Sequence, residues 1–193
     1  ARATTEIPGF EDGLKLGRMS LNIQIPTPLG QIGGDIVAPA KQLAKMFDQV
    51  HAFEPVADHR ECFDKSVTAD NVVLRACALG EKEGHVAIHT TKFSSGDSWV
   101  KGVGDIPMHT LDSFELKDVD FIKIDVEGYE RNVLAGAVDT IMRCKPVVIV
   151  EQKRDMSATR FNLPPLSAVT FLQERGYALS LELGGDYIMV PAP

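Results

Sequence analysis

Apolar and polar positions in this 193-residue chain alternate between two periods: short β-branched runs, and segments whose apolar residues recur three and four apart. "LGQIGG" (29–34) predicts a short first strand and "DIVAPAKQLAKMF" (35–47) a helix. "QVHAFEP" (49–55) reads as a second strand, stopped by Pro55, and "ADHRECFDKS" (57–66) as a helix. "NVVLRACALG" (71–80) makes a third strand, and "HVAIHTT" (85–91) alternates like an added surface strand or hairpin arm. "FIKID" (121–125) is a fourth strand, followed by a helix over "YERNVLAGAVDTIMRC" (129–144). "PVVIVEQ" (146–152) is a fifth buried strand, and "PLSAVTFLQERG" (165–176) a helix with a glycine stop. "YALSLELGGDYIMV" (177–190) closes the pattern as two strands joined at Gly184 and Gly185.

Strands separated by helices, in runs too apolar for a sheet wetted on one face, imply a parallel α/β sheet with helices on both faces. Its last two strands form a terminal antiparallel hairpin. No repeat, low-complexity tract or interdomain linker interrupts the chain, so residues 1–193 are expected to form a single domain with residues 1–28 as an N-terminal extension. The one long irregular stretch, "KFSSGDSWVKGVGDIPM" (92–108), reads as a mobile loop; it is equally open to a lid and to a disordered insertion.

Composition narrows the picture modestly. A formal charge of −7 disfavours a nucleic-acid backbone as partner, and no run reaches the roughly 20 apolar residues a membrane helix requires. Three scattered cysteines suit a reducing cytoplasm better than a disulfide framework. His85 and His89 can share one strand face, but the ligand spacings predict no metal site.

The chemistry concentrates where strands end. In open parallel sheets, ligands bind beyond the carboxyl ends of the strands. Glu54, Asp125, Glu127 and Glu151 all follow strands and are expected to gather there. Such a surplus of carboxylates implies a ligand, because helix capping alone needs one. "GQIGGD" lets a ligand approach the backbone at Gly33 and Gly34, although a tight strand–helix turn explains the glycines as well. Glu54, roughly 20 residues on, is an acid able to accept both hydroxyls of a ribose.

At this point the residues reach a family. "VHAFEP", "NVVLRACALGEKEG", "TLDSF" and "VDFIKIDVEGYERNVLAGA" with "KPVVIVE" together resemble the FkbM family of S-adenosylmethionine-dependent methyltransferases, over roughly residues 30–151. The resemblance implies a class I methyltransferase (Rossmann-like) fold, with a mostly parallel seven-stranded sheet containing one antiparallel strand. It also implies S-adenosylmethionine as cofactor and transfer of a methyl group to a hydroxyl on a sugar, glycan or small metabolite. By the same resemblance Glu54, in "FEP" with Pro55, holds the cofactor ribose, and Gln31, Gly33, Gly34 and Asp35 form the glycine turn. Ala78 and Leu79 pack the adenine, while Asp125, Glu127 and Gly128 lie beside the sulfonium and the acceptor. Two departures stand out: Gln31 replaces the usual acid of the turn, and Val37 its final glycine, where it is expected to crowd the turn. They leave open a catalytically degenerate binding module.

For a transferase, Glu127 is expected to act as the base that takes the acceptor proton, with Asp125 orienting the methionine end of the cofactor. Helix capping and a favourable first-turn charge are the plain alternatives for these two acids. Lys123, inside an apolar strand, either snorkels to an edge or pairs with Asp112 or Glu151. Trp99 either covers an acceptor sugar or anchors the surface. His51 reads as a hydrogen-bonded core residue, and Glu130 as a solvated helix start.

Overall fold

A computed structural model of the chain describes residues 17–24, 34–91, 94–152 and 156–193. Among these, the elements run β1 (Gly17–Gln24), α1 (Gly34–Met46), β2 (Phe47–Phe53), α2 (Ala57–Ser66), β3 (Val72–Arg75), β4 (Ala78–Leu79), β5 (Gly84–Val86), β6 (Ile88–Thr91), β7 (Ser94–Val100) and β8 (Ile106–His109). A 3₁₀ turn at Asp112–Phe114 precedes β9 (Phe121–Asp125), α3 (Glu130–Ala135), α4 (Val138–Cys144), β10 (Val147–Glu151), α5 (Met156–Phe161), α6 (Ser167–Gln173), β11 (Tyr177–Leu183) and β12 (Asp186–Pro191).

The main sheet has the order β11-β12-β10-β9-β1-β2-β3. β3, β2, β1, β9 and β10 pair in parallel; β12 runs antiparallel to both β10 and β11. Two smaller sheets, β4-β8-β5 and β6-β7, stand apart from it. Ile122, Ile124, Val148 and Val150 alternate along β9 and β10 and are each fully buried, in one cluster with Leu134, Ile141 and Leu172 of α3, α4 and α6. Over β1 and β2 the helix α1 packs instead, its Ile36, Val37 and Ala40 clustering with Ala52 of β2 and Phe63 of α2.

Several expectations change here. The central strand is Gly17–Gln24, inside the stretch read as an extension; of the expected first strand only Gly34 lies within the described residues, and it starts α1. Val37 belongs to the buried face of α1, where its branched side chain fills the seam against β2. The expected third strand divides, because the chain leaves the main sheet after Arg75 and pairs Ala78 and Leu79 with Met108 and His109. The stretch 92–108, read as one irregular loop, contains β7 and most of β8. The helix expected over 129–144 breaks into α3 and α4 at Gly136, whose backbone lies against the carbonyl oxygen of Gly80 so closely that a Cβ has no room.

Asp112 is a structural acid. Its two carboxylate oxygens accept from the first-turn N–H groups of α4, Asp139 at 3.0 Å and Thr140 at 2.8 Å, and its own N–H donates to the Gly136 carbonyl at 3.0 Å. Replacing Asp112 by Ala orphans both donors, at a cost of about 1–2 kcal/mol. A lowered urea midpoint with unchanged slope is the expected result. Lys123 pairs with neither acid anticipated for it. β9 aims alternate residues at the less covered face of the sheet, where its ammonium meets Asp186 of β12 at 3.2 Å.

Candidate functional site

The register of the parallel strands brings the acids to one edge. β1 pairs Ile23 with Phe53 of β2 and Gln24 with Asp125 of β9. Glu54, one residue past Phe53, and Asp125 therefore flank the end of β1. Val150 pairs with Ile124, so Glu151 extends the same edge on the far side of Asp125. At about 4.8 Å per strand step, the ends of β2 and β9 lie about 10 Å apart, a gap one small molecule can bridge. A groove lined by Lys117, Asp118, Val119, Asp120, Arg143 and Cys144 opens at the opposite end, where β9 begins, and includes none of these acids.

Glu54 is 1% exposed. Its Oε1 accepts from the N–H of Val56 at 2.8 Å and faces His59 Nδ1 at 3.4 Å. Arg60 brings Nη1 to the carbonyls of Glu54 and Pro55, at 3.1 and 2.6 Å, which ties the strand end to the first turn of α2. The Glu54 N–H donates to the Arg75 carbonyl at 3.0 Å. Past that point the chain reaches Ala78 and Leu79, buried among Phe53 and Leu111. On the β2 side, Arg75 Nε donates to His51 Nδ1 at 3.2 Å, and its guanidinium lies 4.7 Å from the Phe114 ring centre. Gly34 and Asp35 open α1, and Gln31 and Gly33 lie outside the described residues.

Asp125 ends β9 and is 3% exposed, as is Glu127. The turn between them and α3 is unusual: Glu127 has φ +52° and Gly128 φ +105°. Glu127 meets a partner that sequence reasoning missed. Arg160, on α5, donates from Nη1 to the Glu127 carbonyl at 2.9 Å and approaches its Oε2 at 3.6 Å. The same guanidinium sits 4.3 Å from the ring centre of Trp99 on β7, which also meets the His89 imidazole at 4.1 Å. Trp99 is thus packed against a cation and a second ring.

Glu130 overturns the expectation of a solvated helix start. It is 1% exposed and accepts from the Gly128 N–H at 2.7 Å through Oε1, while its Oε2 is buried without a hydrogen bond of good geometry. Burial pushes its carboxyl up to about 7; the Gly128 N–H and two further backbone donors pull against that, and Glu127 adds to it. His51 moves the other way, down to about 4, through burial and then the neighbouring Arg75 charge.

These two shifts oppose each other in the folding equilibrium. A carboxyl raised from its ordinary 4.5 binds more protons folded than unfolded, so its contribution to stability falls as pH rises from about 4.5 to about 7. His51, lowered from 6.5, binds fewer protons folded, so its contribution rises between about 4 and 6.5. Replacing Glu130 by Gln removes the first slope and leaves the second. The urea-derived stability of E130Q minus that of the unaltered chain is expected to grow steadily from pH 5 to pH 7; a constant difference contradicts the assignment.

Taken together, the open sheet with acids at its carboxyl edge defines an α/β fold of the kind seen in methyltransferase structures. Residues 35–179 match the Methyltransferase FkbM domain, and the chain belongs to that family. The methyltransferase FkbM of Methylobacillus flagellatus KT has a similar fold, with a TM-score of 0.55 at 19% identity over 90% of this chain. The likeness spans 42% of that longer protein. A weaker likeness, TM-score 0.45 at 10% identity, links 91% of this chain to 86% of the N-methyltransferase NodS of Bradyrhizobium japonicum WM9. Among curated proteins none matches significantly. No helix among the described residues is long and apolar enough to cross a membrane, and no group of three or more His, Cys, Asp and Glu among them is arranged to hold a metal ion.

Proposed function

We propose that the chain is an S-adenosylmethionine-dependent methyltransferase of class I, acting on a hydroxyl of a sugar, glycan or small metabolite. One observation carries the proposal: Glu54 and Asp125 leave β2 and β9 on the same edge, with only β1 between them. In this reading Glu54 accepts the two ribose hydroxyls, Pro55 turns the chain away beneath it, and Ala78 and Leu79 back the adenine. The turn containing Gln31, Gly33, Gly34 and Asp35 receives the methionine end together with Asp125. The cofactor supplies an activated methyl group on a sulfonium. What remains for the protein is alignment of the acceptor oxygen and removal of its proton, tasks assigned to the turn after β9, with Glu127 as base.

A second reading, a binding module without turnover, is favoured by the Glu127–Arg160 ion pair, since a carboxylate holding a guanidinium is not poised to take a proton until that pair opens. Incubation with methyl-labelled S-adenosylmethionine and a panel of sugars, glycosides and polyols separates the two. Label transfer to one acceptor class, lost in E127Q, is the expected result. Cofactor binding with no transfer to any extract fraction favours the module.

A further inference from the structure

Six non-glycine residues among those described have positive φ: Glu115, Asp118, Glu127, Lys145, Asn162 and Leu166. Glu127 is the buried one; the others lie in exposed or half-exposed turns. A bulky residue in the left-handed region costs of order 1 kcal/mol or more and persists only where its surroundings over-determine it. Here they do so from two directions. From α5, Arg160 donates to the Glu127 carbonyl at 2.9 Å and places its charge 3.6 Å from the Glu127 carboxylate. From α3, Glu130 reaches back over the turn to the Gly128 N–H at 2.7 Å.

The Glu130 contact is costly to keep. It holds a carboxyl group at 1% exposure, with Oε2 buried and making no hydrogen bond of good geometry. A shorter residue with a single polar atom, such as serine, can cap an N–H without burying a second polar atom, so capping alone does not account for the residue. A continuous run of contacts then leads outward, from Glu130 through Gly128 and Glu127 to Arg160 and Trp99.

We infer that Glu130 is a positioning residue: it fixes the left-handed turn that presents the Glu127 carboxylate to the sulfonium side of the site, and Arg160 with Trp99 closes the clamp from outside. This rests on the cofactor assignment made under Proposed function. Glu130 itself touches neither cofactor nor acceptor.

The test needs no acceptor. S-adenosylmethionine carries a positive sulfur that S-adenosylhomocysteine lacks, so the ratio of their dissociation constants by calorimetry reads how well carboxylate charge is aimed at that sulfur. E130Q and E130L are equally uncharged, but only the amide oxygen of E130Q can still accept from Gly128. E130Q is expected to keep the unaltered chain's preference for the sulfonium, and E130L to lose about threefold or more of it. E127Q loses a similar factor, and E127Q/E130L no more than E127Q alone. Trp99, the sole tryptophan, supplies a second readout: its emission shifts in E130L and stays in place in E130Q. Should E130L not fold, E130D, one methylene short of Gly128, is expected to behave likewise.

Equal ratios and equal emission in E130Q and in E130L or E130D overturn the inference. If the unaltered chain binds neither compound, the cofactor assignment fails, and the emission comparison still decides whether Glu130 holds the turn.

Discussion

Replacing Glu54 by Ala is expected to weaken S-adenosylmethionine binding by about a hundredfold or more. A carboxylate accepting two ribose hydroxyls makes two charge-assisted hydrogen bonds of about 1.5–3 kcal/mol each, and every 1.4 kcal/mol is about tenfold in affinity. Glu54 is suited to this by its position as well as by its charge. It is 1% exposed, fixed at the end of β2 by the Arg75 carbonyl behind it and by Val56 and Arg60 ahead of it. Its orientation is therefore set before any ligand arrives, and little ordering cost falls on binding. The same packing gives the substitution a structural side effect, because the Val56 N–H loses its acceptor at the entrance to α2. E54Q controls for that: the amide oxygen can keep Val56 satisfied while the charge is gone, and a loss of about tenfold is expected. Calorimetry on E54A, E54Q and the unaltered chain, each shown folded by circular dichroism, measures both. Equal affinity in E54A removes the ribose assignment.

The second large effect is on stability. Gly136 to Ala is expected to cost about 2–4 kcal/mol, more than Asp112 to Ala. A Cβ at this position collides with the carbonyl oxygen of Gly80 and comes within 3.3 Å of Thr110 Cβ. The main obstacle is backbone, so no side-chain rotation relieves it. The joint between α3 and α4 must instead lift from β4, straining the bond from the Asp112 N–H to the Gly136 carbonyl and, with it, the Asp112 cap on α4. Gly136 has an ordinary negative φ, so space rather than backbone conformation makes glycine necessary there. The urea midpoint of G136A, read against D112A, checks the ranking. A loss below about 1 kcal/mol shows that the joint has room.

Where local pattern and tertiary pairing agree, the sequence was legible. β9, β10 and the β11–β12 hairpin announce themselves by apolar runs bounded by proline and glycine, and α2 occupies the span its pattern implies. Glu54 and Asp125 are expected at one edge because each ends an apolar strand, and the strand register brings them there. β1 was missed although "GRMSLNIQ" alternates Met19, Leu21 and Ile23 with polar residues; it lacks the consecutive apolar residues by which the other parallel strands were recognised, and its place at the centre of the sheet is set by pairing with β2 and β9. The division of the third strand and the break at Gly136 are likewise set by partners distant in sequence, Met108 for Ala78 and Gly80 for Gly136. Glu130 looked solvated because a charged residue opening a helix normally is; only the surrounding packing encloses it. Arg160 comes from a short helix with no distinctive pattern, and its link to Glu127 spans unrelated parts of the chain.

The most direct test of the central claim is a crystal structure of the chain with S-adenosylhomocysteine. The account predicts the nucleoside lying across the end of β1, its ribose hydroxyls within hydrogen-bonding distance of the Glu54 carboxylate and its sulfur toward the Asp125 side. A nucleoside bound at the other end of the sheet, or bound with Glu54 turned away from the ribose, contradicts it.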